Sequence, residues 1–579
     1  MDRPARRLHR IALLFSLPLL AAPAPFVAAA APGATTTATT QAKPPPTLAE
    51  LRRAFCDQEL ITSRSMGYLF SPGDPPRIVW RDPQRVRELG GDPFGLKVRW
   101  FDAQLNEAKV PDGPGRWGAY VQGVAANGTP LRRALTLYCR PPNFLVYFAA
   151  NYAPPAVPYQ PGPIEKRVWE QHQGEITKLL GSMVMPNLND SEAGVVLIAG
   201  LAESKPLDRP LLQIDSAAAR NEDFHLALKI KAENLHDRVH RLDPPTELDE
   251  AHAAPELHKG SAAEARVRGD ARRRIDKVCV DWARDSGEPF VTLVARRGVI
   301  VTHRAFGRDG ATGKLIDADY RCPVFSITKT LTSILFSQFV EQKRMRWDEP
   351  ISKIFAGYPL DDPAHVPTFA QCLSHTSGLS GHGDWGGVTN PHLENLVLNA
   401  IDANAPGKKY EYNGNGFELA AKAMEIVSGK AWRHVYRDHL FVPLGMSDVP
   451  MDNASSGAYL TARDLGVLGQ WLSNRGAYGR KRFISPQTFE QMLPRMLSEL
   501  YPGIDEVEGL GMHWMNEKGA GGKPLFGDHT IGHGSLSACI LRVDLDDELV
   551  IVQVRRQAGP RYAEWAAKFF QTIADAQIR

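Results

Sequence analysis

Cysteine is scarce: six in 579 residues, with no C-x-x-C pair and so no redox or zinc-ribbon motif. Cys56, Cys139, Cys279, Cys322, Cys372 and Cys539 are scattered, and their spacing identifies no disulfide pairing. It suits buried, unpaired thiols equally well. Net charge is small too, because 68 Lys and Arg offset 65 Asp and Glu to leave +3. That balance makes no electrostatic case for nucleic acid as a partner. Arg272, Arg273 and Arg274 have no interleaved aromatics and read as the solvated face of a helix. His225, His236, His240, His252 and His258 share no recurring ligand spacing. They are taken as surface histidines, and no metal or organic cofactor is expected. Beyond about residue 31 no apolar run is long enough to cross a bilayer.

What is present begins with a leader-like segment. Arg3, Arg6, Arg7 and Arg10 precede an apolar run from Ile11 to about Ala31 that closes on small residues around Ala28 and Ala30. This is the layout of a secretory signal peptide over 1–30. An uncleaved anchor is the alternative, opposed by Pro18, Pro23, Pro25 and the Ala-rich end. Arg6-Arg7 sits in a poor context for twin-arginine export. The expectation is an exported protein, periplasmic or extracellular, with no integral membrane span once the signal is removed.

At this length one core does not suffice, so the chain is divided into domains. Residues 31–47 are Thr-, Ala- and Pro-rich and read as a spacer. Residues 48–240 are expected to form a separate mixed α/β accessory domain whose role the sequence does not name. Its signals are the alternating stretch Leu96 to Trp100 and a hairpin of Tyr120–Val124 with Leu135–Tyr138 across Asn127-Gly128. A short buried strand at Val195–Ile198 and helical periodicity over Phe224–Leu242 complete them. Residues 241–270, with Asp-Pro-Pro and mixed charged patches, read as a linker.

From 271 to 579 the pattern is α+β. Phe290–Ala295 and Val299–Arg304 flank Arg297-Gly298 as a hairpin, a helix-rich middle follows, and strands return at Ser537–Val543 and Leu549–Val554 before a helix from about Arg561. Early and late strands around central helices imply one antiparallel sheet, flanked by helices and completed by both ends of the domain, with a helical subdomain between.

The chemistry is concentrated at Ser326-Ile327-Thr328-Lys329, followed by the helical rhythm Leu331, Ile334, Leu335. On a helix, positions i and i+3 share a face, so hydroxyl and amine meet. A serine hydroxyl needs a neighbouring base. Lysine serves if burial and nearby positive charge lower its pKa. The helix start adds backbone N–H groups and a positive dipole end suited to an oxyanion. S-x-x-K alone is a weak signal, and its surroundings supply the weight.

The stretch FSITKTLTSILFSQFVEQKRMRWDEPISKIF resembles the nucleophile helix of the family containing class C β-lactamases, D-alanyl-D-alanine carboxypeptidases and their esterase relatives. LSHTSGLSG at 373–381, PGKKYEYNGNGFELAAKAMEIVSGK, LFVPLGMSDV and YLTARDLGVLGQWLSNRG resemble that family's later segments in the same order, while the N-terminal part has no counterpart. The resemblance implies a β-lactamase/transpeptidase-like fold. It also implies Ser326 as nucleophile, Lys329 as its base and Tyr412 as the tyrosine of a Tyr-x-Asn motif. The asparagine position of that motif falls on Gly414, with Asn413 and Asn415 on either side as candidates for holding substrate. IGHGSLSACILRVD aligns with the third element, Lys-Thr-Gly or His-x-Gly, placing His533 first and Ser535 where glycine is usual; Leu536 N–H would be the second oxyanion donor beside that of Ser326. His375, in the turn motif, reads as structural.

The resulting expectation is an acyl-enzyme serine hydrolase acting on a small-molecule or peptide ester, amide or β-lactam carbonyl. The departures at Gly414 and Ser535 keep open an inactive, penicillin-binding-protein-like envelope protein that only captures ligands. A zinc hydrolase built from the histidines is the remote third reading. The sequence names no oligomeric state.

Overall fold

The computed structural model describes residues 217–355, 366–379, 405–446 and 449–578, preceded by residues 95–111 and separate strands between Leu60 and Ile214. The expected leader and spacer, the Asn127-Gly128 turn and Cys56 lie outside the described residues.

Residues Pro46–Arg579 pack as one unit. In its N-terminal part, β1 (Leu69–Phe70), β2 (Lys97–Phe101), β3 (Glu107–Ala108), β4 (Gly115–Val124) and β5 (Pro130–Cys139) form a sheet in the order β1-β5-β4-β2-β3. The expected hairpin is there in a shifted register: Tyr120–Val124 pairs Pro130–Ala134, while Leu135–Tyr138 pairs Arg116–Ala119 further from the turn. Val195–Ala199 pairs both Phe144–Phe148 and Leu212–Ile214.

Helix α1 (Ala217–Ala232) follows, ending earlier than its periodicity suggested. Asn234 takes a left-handed φ of 54°, which stops the helix before Leu242. Two faces of α1 are used. Phe224 and Leu228 pack with Phe101, Tyr120 and Ala134 of the first sheet. Leu226 and Ile230, half a turn round, join the large C-terminal core.

The segment read as a linker is also drawn in. Its β6 (His258–Lys259) pairs in parallel with β8 (Val299–Phe306), beyond α2 (Ala271–Ser286) and beside β7 (Phe290–Arg296). With β9 (His513–Trp514), β10 (Thr530–His533), β11 (Ile540–Asp544) and β12 (Leu549–Arg555) they make a seven-stranded sheet, order β6-β8-β7-β12-β11-β10-β9. The sheet is therefore mixed rather than wholly antiparallel, because the parallel partner comes from the linker. β11 starts at Ile540, three residues later than expected, since residues 536 and 537 form a turn. The Arg297-Gly298 hairpin closes with φ of 57° and 82°, both positive as a two-residue primed turn requires.

Strand alternation sorts side chains into two cores. Phe290, Val294, Leu549 and Ile551 face α2 and α6 (Tyr562–Ala576), meeting Trp282, Phe569 and Phe570. Val291, Leu293, Val550, Val552 and Val554 face the other way. There they pack with α3 (Thr328–Glu341), α4 (Asn415–Ser428) and α5 (Ala462–Ser473). Both faces are covered, so these strands read as apolar runs. Cys279, Cys322, Cys372 and Cys539 are free and buried, as thiols packed like small hydrophobes.

The first turn of α4 lies directly on the backbone of Phe369–Leu373. A Cβ at Gly416 would sit 2.2 Å from the Cys372 carbonyl oxygen, and backbone there has nowhere to retreat. Gly416→Ala is expected to lower stability by at least about 2 kcal/mol, read as a shift in urea midpoint at unchanged m-value. A midpoint within error of wild type would contradict this packing.

Candidate active site

Ser326 is the middle residue of a tight 3-10 turn, Phe325–Ile327, that runs straight into α3. Phe325 has a φ of 45°, a left-handed conformation that costs a non-glycine residue about 1–3 kcal/mol and is sustained by the surrounding fold. Part of that support is Ser535, whose hydroxyl donates to the Val324 carbonyl at 2.9 Å. The turn sets Ser326 at a helix N-terminus, where backbone N–H groups have no helical acceptor.

One turn on, Lys329 is 3% exposed. Its ammonium donates to Ser326 Oγ at 3.5 Å and to the Ser455 carbonyl at 3.0 Å. It also lies over the rings of Tyr412 (4.8 Å) and Phe417 (5.6 Å). Burial drives its pKa down to about 8, with Glu418 and Glu508 opposing the shift. Tyr412 is half-exposed at the mouth of the site and hydrogen-bonded to Ser326, while burial raises its phenol above the usual range. Hydroxyl, amine and phenol thus lie together, the first two brought there by their spacing on one helix.

Behind Tyr412 lies a layer of imidazoles. His375 packs 4.3 Å from the Tyr412 ring, and its Nδ1 accepts from Asn413 N at 3.2 Å. This buried residue supports the tyrosine from beneath. His533 ends β10, 6.3 Å from Tyr412 and 4.6 Å from His513 between ring centres. Its Nδ1 donates to the Gly534 carbonyl at 2.7 Å, and desolvation and His513 press its pKa down to about 3. His533 therefore stays neutral at physiological pH. His513 pairs with Glu508 at 3.1 Å, and Tyr410 donates to the same carboxylate at 2.8 Å.

Several expected substrate-holding groups are used elsewhere. The Asn413 amide donates to Leu379 O (3.0 Å) and Glu411 O (2.8 Å), and its oxygen accepts from Asn415 N (3.0 Å). It fixes the entry to α4 rather than facing a ligand. Asn415 is the buried first residue of that helix. Ser535 is tied to Val324 and to Ser537, so its hydroxyl faces the turn before Ser326. Leu536 stands on an open turn, 82% exposed. At Gly414 an added Cβ would meet Ser455 Oγ at 2.6 Å, so a side chain at this position requires Ser455 to shift.

His252 and His258 are exposed and pair with Asp249 and Glu264. Among the described residues no three His, Cys, Asp or Glu side chains are grouped to hold a metal. His513, Glu508, Ser455 and Glu418 were not singled out from sequence. Of these only Glu418 carries a signal, an acid amid the apolar run of α4.

The family model described as Beta-lactamase matches residues 290–568. Penicillin-binding protein 4 of Amycolatopsis lactamdurans is 26% identical over 144 residues, 23% of this chain and 37% of that one. The D-alanyl-D-alanine-carboxypeptidase/endopeptidase AmpH of Escherichia coli is 26% identical over 144 residues, 22% of this chain and 35% of that one. The matches thus span little more than a third of either relative's length. Among solved structures, the D-amino acid amidase of Ochrobactrum anthropi SV3 is 16% identical with a TM-score of 0.41, covering 52% of this chain and 98% of that one.

Proposed function

We propose that residues 290–568, which match the family model described as Beta-lactamase, form a serine-hydrolase domain that hydrolyses an acyl substrate through a covalent enzyme on Ser326. The observation that carries this reading is the 3.5 Å contact of Lys329 Nζ with Ser326 Oγ, made by an amine that burial has brought close to neutrality. Neutral Lys329 takes the hydroxyl proton as Oγ bonds to the carbonyl carbon. The backbone N–H groups at the start of α3 face the oxyanion. The proton then returns, through Tyr412, to the departing oxygen or nitrogen. Water repeats the sequence on the acyl-enzyme and releases the acid.

A neutral His533 offers no positive charge to a substrate carboxylate, and Lys329 is uncharged in the form that accepts the Ser326 proton. This favours an uncharged ester or amide over a carboxylate-bearing β-lactam or peptide. The second reading, a ligand-capturing protein without turnover, draws on Gly414, where Ser455 fills the space of a substrate-holding amide. We further place the mature protein outside the cytoplasm, on the leader-like pattern of residues 1–30, with 48–240 as an accessory domain.

The test combines labelling of the purified protein by a fluorescent fluorophosphonate with turnover of nitrophenyl esters, D-amino-acid amides and a cephalosporin. Turnover of any class supports the hydrolase, labelling without turnover supports capture, and absence of both overturns the acyl-enzyme. The sign of the pH dependence follows from Lys329, which must lose its proton to act. The labelling rate is expected to rise with pH and level off above about 8. A rate that falls over pH 6 to 9 would remove Lys329 from the role of base.

A further inference from the structure

The Lys329 ammonium has a backbone partner, the Ser455 carbonyl, and that carbonyl is itself held in place. Glu418, on α4 and 3% exposed, accepts Ala454 N at 3.1 Å on Oε2 and Ser455 N at 3.0 Å on Oε1. Asn453 Oδ1 accepts from Ser455 N (3.1 Å) and Ser456 N (2.7 Å), closing the turn from its other side. The same turn is fastened to the nucleophile helix. Thr332 Oγ1 donates to Ala454 O at 2.5 Å, and Ala458 N donates to Thr328 Oγ1 at 3.0 Å. A buried carboxylate usually needs a cation or several N–H donors to stay ionised, and here it has two N–H donors with an ammonium one peptide away.

We propose that Glu418 is a positioning residue of this site: its carboxylate clamps the 454–455 backbone so that the Ser455 carbonyl holds Lys329 Nζ within reach of Ser326. The inference rests on the acyl-enzyme reading and adds a residue that no part of the Ser-x-x-K or Tyr-x-Asn pattern contains. The arrangement has two consequences. The carbonyl fixes where the amine sits, and the carboxylate's charge sets when the amine gives up its proton. Glu418 and Glu508 favour the protonated form, while His375, His533 and Tyr412 complete the surroundings, the two imidazoles being uncharged at working pH.

Glu418→Gln removes the charge and one of the two acceptors. Fluorophosphonate labelling per active site, measured from pH 5 to 10, is expected to show two changes. The midpoint moves to lower pH by about half a unit or more, because Lys329 loses a stabilising negative neighbour. The plateau rate falls about tenfold as the amine is held less firmly. Glu418→Asp keeps the charge but shortens the reach, so it should retain the wild-type midpoint while its plateau falls. If Glu418 served folding alone, Glu418→Gln would lose thermal stability and active fraction while surviving sites kept the wild-type midpoint and plateau. That outcome overturns the proposal, as does a Glu418→Asp midpoint that shifts as far as that of the glutamine variant. Wild-type protein that does not label at all defeats the acyl-enzyme reading instead, so the two failures are told apart.

Discussion

Replacing Ser326 with alanine is expected to abolish fluorophosphonate labelling and to lower turnover of any accepted ester or amide about a thousandfold or more. The side chain supplies the only protein atom that bonds to the acyl carbon in the proposed cycle, so the remaining groups are left with binding and oxyanion stabilisation. Stability should change little. The residue sits in a partly exposed turn, and losing one hydroxyl there leaves the 3-10 turn and α3 intact. Retention of labelling by the alanine variant, with mass spectrometry locating the adduct on another side chain, would transfer the nucleophile's role and remove the basis for the mechanism.

Lys329→Arg should be nearly as damaging, for a different reason. The guanidinium keeps the positive charge but does not release its proton in this pH range. If Lys329 contributed only charge, arginine would preserve much of the rate. If it is the base, acylation falls about a hundred- to ten-thousandfold, and the rise towards a plateau near pH 8 disappears. Arginine is also longer and forked, so Lys329→Met serves as the smaller control. Both variants should be slow and flat with pH. An arginine enzyme within tenfold of wild type and a methionine enzyme far below it would make Lys329 an electrostatic anchor instead.

How far the sequence could be read depended on whether a feature was local. Ser326 and Lys329 are three residues apart on one helix, and that spacing alone brings hydroxyl and amine together. The β7–β8 hairpin was legible for the same reason, being set by alternation and the Arg297-Gly298 turn. Tyr412 was found through the ordered motifs, although its distance from Ser326 in sequence says nothing about their contact.

What escaped notice depends on segments far apart in the chain. Ser455 reaches Lys329 across 126 positions, and Glu418 reaches Ser455 across 37. Ser455 looks like an ordinary polar residue until folded, and the acid at 418 stands out in its apolar helix without naming what it holds. Asn413 and Asn415 misled because their side-chain chemistry suits a ligand, yet backbone groups at the mouth of α4 engage the Asn413 amide first and Asn415 is buried in the helix start. The linker's strand β6 was missed because two residues carry no periodicity.

The pairing of β7 with β12 couples Phe290 to Arg555 and Arg296 to Leu549, so the sheet's centre is stitched from segments more than two hundred positions apart. Closing so long a loop is entropically unfavourable until much of the intervening chain has collapsed, which makes this topology a slow folder. The imidazole of β10 is joined to the sheet's centre through β11 and β12, and so takes its place with that closure. Reactivity at the cleft should therefore appear late during refolding, after helical signal has recovered, and the fraction of molecules that react would count those whose two ends have met.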